Sequence, residues 1–280
     1  MRKFKQGHLE QFSVIVRRDI LRMAYLGQTG HIGSCLSVVD ILTAILWGPM
    51  RAVEDFTNQD RDKLILSKGH AVAALYGALG NSGAFPAEWF DTFNQNGTIL
   101  TEQPIPWAVP GVDAALGSLG HGLPIGCGMA LGNKLQNKKH RIWVVMSDGE
   151  CNEGSVWEAA MFAASRNLSN LTVVIDYNKL QACGDSREIL GLEPFVDKWR
   201  AFGWNVYECD GHQPGLMADY MDKLVNAPVR CHVIKPGKPT VIIAHTVKGK
   251  GVSFMENNNN WHYRKLSLED FDRALVEIGI

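Results

Sequence analysis

Along the first third of the chain, apolar positions recur at three- and four-residue intervals. Leu9, Phe12, Val16, Ile20 and Met23 predict a helix through HLEQFSVIVRRDILRMAY that stops near Gly27. A loop, TGHIGSC, leads to a second predicted helix, SVVDILTAILW, and RDKLILSKGH reads as a brief strand, Lys63 to Leu66, broken at Gly69 before the helix HAVAALYGAL. Residues 81–111 are rich in Gly, Pro, Asn and Trp without periodicity, which predicts a long ordered loop with one short helix around Glu88 to Phe93. Beyond it the pattern becomes regular. A Gly- and Ala-rich helix, Gly122 to Leu135, precedes the strand RIWVVMS, the helix SVWEAAMFAASR, the strand LTVVIDY, the helix EPFVDKWRAF, the strand WNVYECD, the helix LMADYMDKLVN and the strand TVIIAHT, with LEDFDRALVEIG as a closing helix. Short, continuously apolar, β-branched strands alternating with helices predict an α/β fold: a doubly wound, mainly parallel sheet flanked by helices. One domain over 1–280 is expected, with 227–238 (PVRCHVIKPGKP and its flank) as a connecting loop.

Composition narrows the classes. With 46% hydrophobic residues, 20% charged residues and a formal net charge of −1, no field of one sign steers the chain to nucleic acid or an acidic membrane. Six cysteines stand singly, without zinc-ribbon or Cys-x-x-Cys spacing, and read as buried, reduced thiols. No apolar run is long enough for a membrane helix and no signal-type apolar region follows the basic N-terminus, so a cytoplasmic location is expected.

The chemistry gathers in VVMSDGECNEGSVWE. An Asp-Gly hairpin would need a second alternating strand, whereas helical periodicity comes next, so strand, tight loop and helix is the better parse. Asp148 then stands at the carboxyl end of a parallel strand, where ligands of open sheets bind, beside a helix N-terminus. Asn178 ends the next strand thirty residues later. Two oxygen side chains at adjacent strand ends suit Mg²⁺ completed by phosphate oxygens and water, with the Leu180 carbonyl as a third protein ligand. The bland alternatives are a capping acid and a turn asparagine. A lone histidine after a glycine is ordinarily a loop or core residue, the stripe Trp143, Trp157, Phe162 reads as core, and VKGKG lacks Walker spacing and reads as a basic surface turn.

The stretch MSDGECNEGSVWEAAMFAASRNLSNLTVVIDYNKLQ resembles the thiamine-diphosphate motif of the transketolases. TGHIGSCLS, SKGHAVAALY, PGVDAALGSLGHGLPIGCGMA and AHTVKGKGVSFMENNNNWH resemble further blocks of that family, in the family's order and over nearly the whole chain. The resemblance implies thiamine diphosphate and Mg²⁺ as cofactors, with Asp148, Asn178 and the Leu180 carbonyl on the metal. It implies that Gly149 lets the backbone approach the diphosphate and that Gly120, His121, Gly122 and Glu150 belong to the cofactor site. His70 and His262 match histidines at the diphosphate or reaction site, His31 one that handles substrate hydroxyls, and Glu153 a glutamate at a subunit interface. Ser147 replaces the motif's first glycine, His121 a glutamine, and TEQPIPWAVPGV lacks the histidine, near Gln103, that touches the donor sugar in the family.

The activity implied by this resemblance is a thiamine-dependent transfer of a two-carbon ketol unit from a ketose to an aldehyde. The sequence stops after the diphosphate-binding blocks, so a second polypeptide carrying the pyrimidine-binding and C-terminal domains is expected, in a dimer of heterodimers active only when both are present. The altered donor segment points to a sugar or sugar phosphate outside the pentose phosphate series. The alternatives are membership of another thiamine enzyme, of deoxyxylulose-phosphate synthase or 2-oxo-acid dehydrogenase type, and a catalytically silent partner chain. A nicotinamide dehydrogenase is disfavoured, because GCGMALG has the wrong spacing and lies within a helix.

Overall fold

The computed structural model describes residues 7–51, 53–226 and 235–280. Helices α1 (His8–Gly27) and α2 (Ile32–Trp47) precede strand β1 (Lys63–Leu66) and α3 (Val72–Asn81). After a long loop come α4 (Gly122–Leu135), β2 (Ile142–Ser147), α5 (Gly154–Ser165), β3 (Leu171–Tyr177), α6 (Ser186–Leu190), α7 (Phe195–Ala201), β4 (Asn205–Asp210), α8 (Pro214–Asn226), β5 (Thr240–His245) and α9 (Leu268–Glu277). The strands form one parallel sheet in the order β1-β2-β3-β5-β4. This bears out the expected doubly wound architecture.

Side-chain alternation divides each central strand between two cores. Leu64, Leu66, Trp143, Val145, Val174 and Ile242 face the layer of α1, α2, α3 and α8. Ile65, Ile142, Val144, Val173, Ile175 and Ile243 face α4, α5 and α7. All seven residues of β3 are buried, as a strand covered on both faces requires. Gly126 brings α4 onto the sheet, since a Cβ there would lie 2.6 Å from Val144 Cγ2.

The direction of each connection opens the cleft. After β1 and β5 the chain turns to the α1–α3 side, through α3 and α9, whereas after β2 and β3 it turns to the opposite side, through α5 and α7. Neighbouring strand ends whose connections diverge leave a crevice at the carboxyl edge of the sheet.

Several local expectations need correction. Helix α2 starts at Ile32, so most of the glycine-containing loop before Ser37 is helical. The short helix near Glu88 is 3-10, Ala87–Thr92, and the helix after β1 begins with a 3-10 turn, Gly69–Ala71. A 3-10 turn, Gly149–Asn152, separates Asp148 from α5, and α6 was not anticipated. Phe162 is 38% exposed rather than core. Cys35, Cys127 and Cys151 are buried, but Cys183 is exposed and Cys209 half-buried. Of the connecting loop expected over 227–238, residues 227–234, Cys231 among them, lie outside the described residues, and a turn comes at 236–237. No helix among the described residues is long and apolar enough to cross a membrane.

Candidate active site

A cleft of about 390 Å³ opens at the carboxyl edge of the sheet. Asp148, Gly149, Asn178 and Leu180 line it from the ends of β2 and β3, and His31, His70 and His262 line it from the other elements. Glu153 stands exposed at the same cleft, at the start of α5. The side chains at 148 and 178 therefore share one cavity. Lys179 joins them: its left-handed backbone, φ 65°, aims its N–H at Asp148 Oδ2 at 2.9 Å.

Asp148 is buried, and its Oδ2 also accepts from Ser186 Oγ at 2.9 Å. Its Oδ1 is buried with no protein partner. Burial, opposed by the Ser186 hydrogen bond and reinforced by the charge of Asp176, pushes its pKa up to about 6. A carboxylate oxygen left unpaired at that cost is available to a cation or a donor. Asn178 turns its Nδ2 to Asp176 Oδ2 (3.3 Å) and Ser37 Oγ (3.4 Å), which directs Oδ1 away from that carboxylate; Oδ1 accepts from the Leu180 N–H at 3.0 Å. Among the described residues no three His, Cys, Asp or Glu side chains are grouped to hold a metal. A metal at Asp148 would be held by one carboxylate, one amide and one carbonyl oxygen plus oxygens from its ligand, a donor set that suits Mg²⁺ and disfavours Zn²⁺. The Asp148 orphan fits such an ion. The Leu180 carbonyl fits less simply, because Lys248 Nζ stands 3.4 Å from it and places a positive charge beside one of its lone pairs.

Beneath the cleft lies a polar knot that sequence reasoning missed. Lys68, fully buried after β1, donates to Asp176 Oδ2 at 2.5 Å and to the Ser34 carbonyl at 3.0 Å. Asp176 also accepts from Ser37 Oγ at 2.6 Å and from Thr246 Oγ1. Burial alone would raise the pKa of Asp176, but Lys68 and these hydroxyls hold it below the ordinary carboxylate range. An acid inside the otherwise apolar run VVIDY was the available signal, since a buried charge requires a partner.

The three histidines form a triangle, with ring centroids 5.1 Å apart for His31–His70, 5.1 Å for His31–His262 and 5.7 Å for His70–His262. His31 precedes α2 in the left-handed conformation, φ 63°, and its N–H donates to the His262 carbonyl at 2.6 Å. Its Nδ1 is buried without a protein partner. Burial lowers the pKa of His31 against the opposing charge of Glu102; burial and Lys68 hold His70 well below its ordinary value; burial and Lys248 bring His262 to about 3. All three imidazoles are thus neutral near pH 7, able to donate at one nitrogen and accept at the other.

Lys248 corrects the expectation that VKGKG is a surface turn. It is fully buried, and its Nζ lies within 2.9 Å of His262 Nδ1 and Asn259 Oδ1 and 3.2 Å from the Gln181 carbonyl. Burial and the charge of Lys68 lower its pKa to about 8. Since the ammonium can only donate, His262 carries its own proton on Nε2. One lysine therefore ties the loop after β3 to the loop carrying His262.

Four expected cofactor residues do not line the cleft. Glu150 is fully buried and accepts from the Gly120 N–H at 2.8 Å and from Ser67 Oγ. Gly120 adopts φ 82°, and Gly122 packs so closely on Ser67 that a Cβ would lie 2.1 Å from Oγ. These three brace the 116–122 loop against the end of β1, and the loop reaches the cleft through Gly117 and Leu119 instead. His121 is exposed, with Nδ1 at 3.1 Å from the Leu119 carbonyl. From the loop after Leu100, Gln103 also lines the cleft.

The family profile described as the transketolase thiamine diphosphate-binding domain matches residues 15–280. The chain is 38% identical over 264 residues to one of the subunits of apulose-4-phosphate transketolase from Phocaeicola vulgatus, covering 94% of this chain and 91% of that protein. It is 40% identical over 271 residues to 6-deoxy-6-sulfo-D-fructose transketolase subunit SqwG of Clostridium sp., covering 96% and 94%. Among solved structures, transketolase from Campylobacter jejuni superposes with TM-score 0.88 at 26% identity over 99% of this chain. The chain spans 43% of that protein's length and 42% of the transketolase from Leishmania mexicana, whose TM-score is 0.86. With its profile, its relatives of matching length and its fold in agreement, the chain belongs to the transketolase family, as a transketolase-type transferase chain that carries the thiamine diphosphate-binding domain.

Proposed function

We propose that this chain is the diphosphate-binding half of a two-chain transketolase that passes a two-carbon ketol unit from a ketose to an aldehyde. The observation that carries the site assignment is the buried, unpaired Oδ1 of Asp148 in a cleft it shares with Asn178. Asp148, Asn178 and the Leu180 carbonyl would hold Mg²⁺ and through it a diphosphate, while Gly149 leaves room beside them. Thiamine diphosphate, when bound, supplies the nucleophilic carbon and the electron sink that the side chains lack.

The residues of this chain orient substrate and move protons. His31, with a free Nδ1, and His70 face the cleft as neutral imidazoles suited to hydrogen bonding sugar hydroxyls and to exchanging protons with them. His262 is fixed by Lys248 with its Nε2–H as donor. Gln103 presents an amide where the donor would enter, and Glu102 sets the charge around His31. Both relatives named above act, by name, on modified sugars, one of them phosphorylated; we infer a modified ketose as donor here, read by an amide in place of an imidazole. The Phocaeicola relative is named as one subunit among others and is matched along 91% of its length, which supports a second, complementary chain. We place the pyrimidine-binding and C-terminal domains on that chain, in a dimer of heterodimers.

The test combines this chain with the product of a neighbouring transketolase C-terminal reading frame, thiamine diphosphate, Mg²⁺ and a panel of ketose donors with an aldose acceptor. Ketol transfer by the mixture and not by either chain alone is expected. Equal turnover by this chain alone, or none from the mixture with any ketose, would refute the proposal.

A further inference from the structure

A second buried network lies outside the cleft and ends on the same loop that carries Lys248. Arg17 of α1 forms a two-pronged ion pair with Asp40 of α2, Nη2 to Oδ2 at 2.6 Å and Nη1 to Oδ1 at 3.2 Å. Asp40 Oδ2 meets His212 Nδ1 at 2.8 Å, and His212 Nε2 meets the backbone N–H of Val247 at 2.7 Å. The side chains are 9%, 4% and 11% exposed for Arg17, Asp40 and His212. The Val247 amide can only donate, so Nε2 is unprotonated and the ring proton sits on Nδ1, facing the carboxylate. Arg17 Nε closes the circuit on the Lys250 carbonyl at 3.1 Å.

The network thus grips the turn at two backbone points, Val247 N–H and Lys250 C=O, on either side of Lys248. From the other side Lys248 Nζ holds the Leu180 and Gln181 carbonyls, Asn259 and His262, and these groups line or support the cleft. A shift of Val247 therefore displaces the ammonium that fixes both the loop after β3 and the His262 ring. His212 itself, just past Asp210 at the end of β4, does not line the cleft.

We propose that His212 is a positioning residue: held in one tautomer by Asp40, it fixes the 247–250 turn and through Lys248 sets the geometry of the Leu180 carbonyl and His262. The consequence for cofactor affinity rests on the function proposed above; the consequence for the turn does not.

Two substitutions separate the network's bonds. In His212→Asn the amide reaches the Nδ1 position, so contact with Asp40 survives and the acceptor for Val247 is lost. In His212→Gln the longer side chain restores an oxygen near the Nε2 position. With the full chain alone, hydrogen exchange at the Val247 amide is expected to speed about tenfold in His212→Asn, the loss of one buried hydrogen bond, and to stay near the parent rate in His212→Gln. With the partner chain added, calorimetry should show thiamine diphosphate and Mg²⁺ bound about tenfold more weakly by His212→Asn, with recovery in His212→Gln. Parent-like exchange in His212→Asn, or equal acceleration in both variants, overturns the positioning role. Faster exchange with unchanged cofactor affinity overturns the link from turn to cofactor and leaves the grip on the turn standing.

Discussion

Replacing Asp148 with Asn separates what that side chain costs from what it binds. In the cofactor-free protein its pKa rises from 3.8 to about 6, mainly through burial. Two pKa units amount to about 3 kcal/mol spent at neutral pH on holding a buried charge that the nearby Lys68 only partly offsets. The sign is set by proton uptake. The folded carboxyl keeps its proton to higher pH than the unfolded one, so this contribution is fully present below pH 3.8 and is lost as pH rises through about 6. An amide does not titrate, but Asp148→Asn leaves an unpaired N–H where Oδ1 stood, a constant penalty of about 1–3 kcal/mol. The absolute stability of the variant at pH 7 therefore lies between that of the parent and about 2 kcal/mol above it. The diagnostic quantity is the difference between variant and parent, which should grow by about 2–2.5 kcal/mol between pH 4 and pH 7 in urea titrations of the cofactor-free chain. Binding should move oppositely. With the partner chain present, Mg²⁺-dependent binding of thiamine diphosphate should weaken at least about 100-fold, beyond what loss of an outer-shell contact brings. A stability difference independent of pH would refute the buried-charge argument, and unchanged cofactor affinity would refute the metal assignment.

The neutral imidazoles predict acid sensitivity. The unfolded chain takes up protons near pH 6.5 that the folded histidines refuse: for His262, held at about 3, stability should fall by up to about 1.4 kcal/mol per pH unit as pH drops below 6.5, and the lowered His70 and His31 add to the loss in the same direction. His262→Gln should reduce that slope by one histidine's share between pH 6 and 5 in urea titrations, and an unchanged slope would show that His262 is not held neutral. Gly69→Ala should cost at least about 1–3 kcal/mol, because the new Cβ would lie 1.7 Å from the Leu116 carbonyl oxygen. Gly128→Ala, in open space on α4, should instead gain about 0.5–1 kcal/mol; thermal melts that ranked the two equally would contradict the packing described.

The parts legible in the sequence were those encoded locally. Apolar runs marked all five strands, and the placement of Asp148 and Asn178 at adjacent strand ends came from strand length alone. The features that stayed hidden depend on contacts between distant segments. Lys68 and Asp176 are 108 positions apart, and only the sheet register brings them together. Lys248 sits in a turn of composition typical of a surface, and its burial is created by the loops at 180 and 259. His212 carries no local signal, because its partners lie on α2 and beyond β5. Gly33 and Ser34 suggested a loop where α2 runs straight through, since the packing around Ile32 to Leu36 overrides weak helix propensity. Gly120 and Gly122, expected at the cofactor, brace the wall of the cleft, and the same loop reaches its surface through Gly117 and Leu119.

The strand order has a temporal consequence. Among the described residues β4 pairs with β5 alone, while β5 is inserted against β3 and delivers Thr246 to Asp176 and, two residues on, Lys248 to His262. Until residues 240–248 are made and seated, β4 lacks its β5 partner and the acid at 176 lacks one of its hydroxyl donors. Completion of the sheet and closure of the polar network under the cleft therefore draw on the same late segment of the chain, β5 and the turn beyond it.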